Sequence, residues 1–152
     1  MSRRDAVFSW QWSRDGAKWD SSVERVVRIV EGPIPTPDDG DRPGQPEIGA
    51  VVHFEGRVRG LEGAREIAGI DYTAYRPMAE RELARILDEV AARFRVTRVV
   101  VEHAVGRIPV GEVSLVVKVY AGHRGEAFRA CDYLIDRLKE SVPIWKDGYS
   151  RD

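Results

Sequence analysis

Apolar positions follow two rhythms along this chain of 152 residues. Ala127, Cys131, Leu134, Ile135, Leu138 and Val142 recur three and four apart, the spacing of one helical face. Pro143 ends that helix, because proline disfavours helical backbone for the residue before it. A second helix is predicted from Pro77, a residue suited to a first helical turn. Met78, Leu83, Ile86, Leu87, Val90 and Phe94 give it a core-facing stripe. The other rhythm is that of strands, at residues 23–30, 49–58, 67–75, 97–104 and 113–120. Glycine and proline punctuate them. Residues 56–63 carry Gly56, Gly60 and Gly63 and read as a mobile loop, across which the second and third strands are able to pair as a hairpin. Residues 106–112, with Pro109 and Gly111, read as a turn. Residues 32–46 are rich in proline and aspartate and too polar to pack. Consecutive strands on short connections favour antiparallel pairing. The fold class expected is α+β, a mostly antiparallel sheet carrying two long helices.

The first 22 residues stand apart from this pattern. Trp10, Trp12 and Trp19 flank a turn-like Asp15-Gly16, and residues 8–12 alternate like a strand. Two readings stay open, a hairpin or arm packed on the body or on a second subunit, and an aromatic patch for another partner. The division expected is this arm, 1–22, followed by one domain, 23–152.

Composition narrows the functional classes. Hydrophobic residues make up 43% and charged residues 32%, with a net charge of −1. Acids are interleaved with the arginines, so there is no electrostatic case for nucleic acid or membrane surfaces. The single cysteine, Cys131, lies on a helical apolar stripe and reads as inert core. It allows no disulfide framework within the chain, which points to a reducing compartment. The start, MSRRDAVFSWQW, lacks the apolar core of a signal peptide, and no apolar run approaches the ~20 residues that span a bilayer. The expected location is the cytoplasm.

Candidate chemistry concentrates between residues 121 and 146. His123 and Arg124 fall where a strand turns into a helix, a place where backbone N–H groups and the helix dipole favour anions. Together they suit a phosphate or carboxylate, although His123 also fits a capping role. Lys139 and Lys146 bracket the Pro143 turn. Each is able simply to face water. If they share one pocket, holding both charges is disfavoured, and an amine becomes usable as nucleophile or proton carrier. Arg59, in the Gly-rich loop, reads as a solvated arginine on its own. His53 and His103 lie in strands and read as structural. Three separated histidines and one buried-looking cysteine make no metal set of recognised spacing.

Four runs, in order, carry a family resemblance. They are AVVHFEGRVR at 50–59, YTAYRPMAE at 72–80, HAVG at 103–106 with GE at 111–112, and HRGEAF at 123–128 followed by LKESVPIWK at 138–146. Together they resemble the catalytic (large) subunits of molybdopterin synthase over residues 25–147. The resemblance implies an α/β hammerhead fold and sulfur transfer to cyclic pyranopterin monophosphate, forming the dithiolene of molybdopterin. The sulfur would arrive as a thiocarboxylate on the C-terminal Gly-Gly of a small ubiquitin-like subunit. Lys139 and Lys146 would be catalytic, and Arg59, His123 and Arg124 would bind substrate. The assembly would be a homodimer with one small subunit on each protomer, and no cofactor or metal would be required. Two departures stand out. Thr73 replaces the Glu usual in the family. Only six residues follow Lys146, where the family continues with a further strand whose arginine reaches the other protomer, and Arg151 is the only arginine there. Alternatives are a catalytically weak homologue that only binds the ubiquitin-like partner, and an unrelated phosphate-binding α+β domain.

Overall fold

The computed structural model describes residues 5–6, 23–35 and 45–150. The tryptophan arm and most of the proline-rich loop lie outside them. The described residues form nine strands and two helices, in order: β1 (Asp5–Ala6), β2 (Glu24–Glu31), β3 (Ala50–Arg57), β4 (Leu61–Glu62), β5 (Arg65–Glu66), β6 (Gly69–Ala74), α1 (Arg76–Arg93), β7 (Val96–Pro109), β8 (Val113–Ala121), α2 (Arg124–Ser141) and β9 (Ile144–Tyr149).

The expected α+β class holds. The main sheet runs β1-β2-β7-β6-β9, with β8 on β7 and β3 on β8. All these pairs are antiparallel except β2 with β7, which is parallel. The parallel pair is possible because α1 lies between the two strands in sequence and provides the crossover.

Two expectations need correction. The third strand does not form a hairpin with the second: β3 pairs with β8, while β6 pairs with β7 and β9. Part of the intervening loop makes its own two-stranded turn, β4–β5, with Gly63 at φ 63°. Residues 106–109 are not a turn. They extend β7 to 14 residues and form its ladder with β6. Gly106, at φ 89°, allows the strand to change direction there without breaking. The chain after Pro143 is extended as expected, and this strand, β9, closes the edge beside β6.

β7 therefore runs through two parts of this sheet. Its first part lies between β2 and β8, and its last four residues pair with β6. Each has a core. The larger lies under the helices, with Leu83, Ile86, Leu87 and Val90 of α1 and Leu134 of α2 packed on Val99, Val101, Val117 and Val119. Met78, expected on that stripe, is 50% exposed, and Ala79 takes the inward place. The smaller core is built from Ile70, Ala104, Ile108 and Val116 with Val58 and Ile67. Here Gly69 is required, since a Cβ would come within 2.5 Å of the Ile108 carbonyl oxygen.

The two helices are tied by one polar cluster. Arg137 grips Glu89 with two hydrogen bonds of 3.0 and 3.2 Å, and Tyr133 donates to the same carboxylate at 2.7 Å. The guanidinium holds the Glu89 carboxyl down at about 2. This fixes α2, and with it the end of the helix that carries Lys139.

Candidate active site

An open pocket of about 520 Å³ lies where the two cores meet, under the last turn of α2. Five stretches distant in sequence build it. Phe54, Gly56 and Arg57 come from the end of β3, and Val58 and Arg59 from the loop that follows. Ile70 and Tyr72 of β6, His103 of β7 and Ser114 of β8 form further wall and floor. Ile135, Leu138 and Lys139 descend from α2, and Ile144 and Lys146 come from β9.

Three of the five expected site residues meet here. Lys139 and Lys146 share the pocket because Pro143 turns the chain back against β6 within a few residues of the helix end. Arg59 joins them from the opposite wall. All three are exposed to the pocket mouth, and among the described residues none makes an ion pair. The flanking Ile135 and Leu138 line the same wall as Lys139, whose side chain stays exposed. Arg57, by contrast, is committed. It donates to Glu55 at 2.9 Å and to the Gly111 carbonyl at 3.0 Å, and it holds the Glu55 carboxyl below its usual range. Among the described residues, the one carboxylate on the lining is Glu62, on the exposed β4–β5 turn.

His123 and Arg124 are elsewhere. His123 is the N-cap of α2 and Arg124 its first residue, both exposed. Lys139 lies fifteen positions after Arg124 on the helix, about 22 Å at about 1.5 Å per residue. Within one chain they do not reach this pocket. The His123 side chain makes no capping bond, and Phe128, one turn on, is 61% exposed.

His103 was read as structural, and it is a buried ring on the pocket lining. Its Nδ1 lies 2.7 Å from the Ala104 carbonyl oxygen, and burial lowers its pKa from the ordinary 6.5. Tyr72 packs edge-on against it, with ring centres 5.2 Å apart. The Tyr72 hydroxyl donates to Ser114 Oγ at 3.3 Å, which donates to the Gly56 carbonyl at 3.2 Å. A signal for His103 existed in the sequence. Strand alternation puts it on the face of Val99 and Val101, where a polar residue is unusual. His53 lies off the pocket, 3.3 Å from Glu55. Thr73 lies off it too: it follows Tyr72 and is exposed on the other face of β6. Cys131 is buried and its thiol is pushed up to about 11, so it stays protonated at neutral pH.

Fold and site together define an α+β protein with a cationic, amine-bearing pocket suited to an anionic ligand. The profile of the family described as MoaE protein matches residues 30–141. The molybdopterin synthase catalytic subunit of Thermoplasma volcanium is 38% identical over 124 residues, 82% of this chain and 90% of that protein. The crystal structure of molybdopterin synthase from Staphylococcus aureus superposes with a TM-score of 0.74 at 35% identity, covering 82% of this chain and 90% of its own. A Helicobacter pylori complex of subunits 1 and 2 of the molybdopterin-converting factor shares the fold, with a TM-score of 0.66 at 20% identity. The chain belongs to the MoaE family. It is an enzyme subunit of molybdenum cofactor biosynthesis.

Proposed function

We propose that the protein moves sulfur from the thiocarboxylated C-terminus of a small ubiquitin-like subunit onto cyclic pyranopterin monophosphate. The observation that carries this reading is the convergence of Lys139, Lys146 and Arg59 in one open pocket, with no carboxylate paired to them among the described residues. A substrate phosphate needs such cationic donors, and Arg59 offers a planar fork for it. Sulfur attack on a pterin carbon develops negative charge that neighbouring ammonium groups stabilise. An amine, unlike a guanidinium, is also able to take up an acyl carbon or pass on a proton. Lys139 takes that role and Lys146 orients and neutralises. The pocket is open, which suits entry of an extended peptide tail.

His123 and Arg124 enter this scheme only through a second copy of the chain, because about 22 Å of helix separates them from Lys139 in their own. The exposed Phe128 beside them supports a protein–protein contact at that end of α2. The assembly we propose is a homodimer with a small subunit on each protomer, working in the cytoplasm. Thr73, one of the two departures that suit a catalytically weak homologue, does not line the pocket.

The test is reconstitution. Purified protein with thiocarboxylated partner should convert the pterin substrate to the dithiolene. Partner binding without conversion would establish the scaffold instead, and binding of neither would return the protein to the wider class of phosphate-binding domains.

A further inference from the structure

His103 has chemistry that the roles given to the lysines and arginines leave unused. It is 6% exposed yet lines the pocket. A carbonyl oxygen only accepts, so the Nδ1 facing Ala104 carries the ring proton, and Nε2 holds the lone pair. The ring is held by Tyr72, itself anchored through Ser114 to the Gly56 carbonyl. Tyr72 is also the cross-strand partner of Lys146, which sets the imidazole beside the amine-bearing wall.

The reaction proposed above requires a base. A thiocarboxylate that gives up its sulfur ends as a carboxylate, so an oxygen must replace the sulfur. When that oxygen is water, a C–O bond forms at the acyl carbon, the C–S bond breaks, and the electron pair leaves with the sulfur now on the pterin. One water proton must be taken away. A guanidinium cannot accept it, and an amine accepts it only while neutral. Glu62, the one carboxylate on the described lining, lies on an exposed turn rather than in the buried floor.

We propose that His103 is a further catalytic residue of this pocket, a neutral imidazole whose Nε2 accepts the proton of the water that replaces sulfur on the donor carbonyl. The inference rests on the sulfur-transfer reading. Other titratable or charged groups on the pocket walls around the ring are Tyr72 from β6, Lys146 from β9, Lys139 from α2, Arg57 and Arg59 from β3 and its loop, and Glu62 from β4. Its ladder neighbours Ile29 of β2 and Leu115 of β8 do not titrate. Burial favours the neutral ring, so base catalysis should survive to a pH below 6.5 and then fail as the ring protonates.

The experiment is single-turnover sulfur transfer by the reconstituted complex across pH, in wild type, His103→Gln and His103→Ala. Conversion by wild type tests the underlying reading by itself. Given that conversion, His103→Gln should be about 100-fold slower, the scale of general base catalysis. It should bind partner and substrate as wild type does, and it should lose the acidic limb of the pH profile. Added imidazole should restore part of the His103→Ala rate. Gln is able to keep the bond to the Ala104 carbonyl, so it carries the test if the Ala variant does not fold. A folded His103→Gln protein within about threefold of wild type, with an unchanged pH profile, overturns the assignment. So does failure of imidazole to accelerate a folded His103→Ala protein.

Discussion

Tyr72 and Lys146 face one another across the β6–β9 ladder. Directly opposed residues project to the same side of a sheet, so the lysine and the aromatic ring enter the pocket together. The placement of Lys146 therefore depends on the register of a short edge strand. A slip of one residue would turn it to the other face.

Lys146→Ala should fold normally, because the side chain is exposed and the ladder is made by backbone. Its single-turnover rate should fall, with more residual activity than the corresponding change at Lys139. Equal losses at the two positions, measured side by side, would contradict the supporting role given to Lys146.

Lys139→Arg separates charge from chemistry. The variant keeps a cation on an exposed position of the last helical turn, so fold and partner affinity should be unchanged. Most turnover should disappear, as in Lys139→Ala, because a guanidinium does not serve as nucleophile or proton carrier. A rate near that of wild type would reduce Lys139 to a source of positive charge.

Arg124→Ala should weaken substrate binding by about 1.5–3 kcal/mol, the range for a charge-assisted hydrogen bond, while leaving partner affinity alone. Calorimetry reads both. Because Arg124 is about 22 Å along the helix from Lys139, the two variants should complement each other. Mixing Lys139→Ala with Arg124→Ala protein should restore about a quarter of wild-type activity, since half the random dimers are mixed and each has one intact site. No recovery after subunit exchange, or a monomeric mass by light scattering, would rule out the shared site.

Glu89 links stability to pH. Its carboxyl is held at about 2 by Arg137, against an ordinary 4.5. A lowered carboxyl contributes stability that is complete above the unfolded value and is lost as pH falls from 4.5 towards 2. Glu89→Gln should cost about 1–2 kcal/mol at neutral pH and flatten that part of the acid-unfolding curve. Denaturant titrations at pH 7 and pH 3 should show the difference shrinking at the lower pH.

The buried imidazole acts at higher pH. His103 is held below 6.5 by burial, so the folded state binds fewer protons than the unfolded one just under that value. Its contribution is present above 6.5 and declines as pH falls below it. His103→Gln should be less sensitive than wild type to pH below 6.5 in thermal melts. An identical pH dependence would mean that the ring protonates freely in the folded state.

The local elements were written in the chain itself. The three-and-four spacing of Leu134 and Leu138, and the stop at Pro143, define α2, since helix faces and helix ends are short-range properties. Alternating and continuous apolar runs marked β2, β3, β6 and β8, and the motif resemblance pointed to Lys139, Lys146 and Arg59. Pairing was decided elsewhere. A strand's ladder partner depends on which apolar faces meet across the core, so only the tertiary structure could put β3 on β8 and β2 parallel to β7. It also turned residues 106–109 from an expected turn into strand, because Gly106 lets β7 bend and go on pairing with β6. The same long-range packing separated two groups that looked adjacent. Lys139, Lys146 and Arg59 converge, while a rigid helix holds Arg124 about 22 Å away. And it brought in His103, because the role of a strand residue depends on what closes over it, and here that is a pocket wall shared with Tyr72 and Ser114.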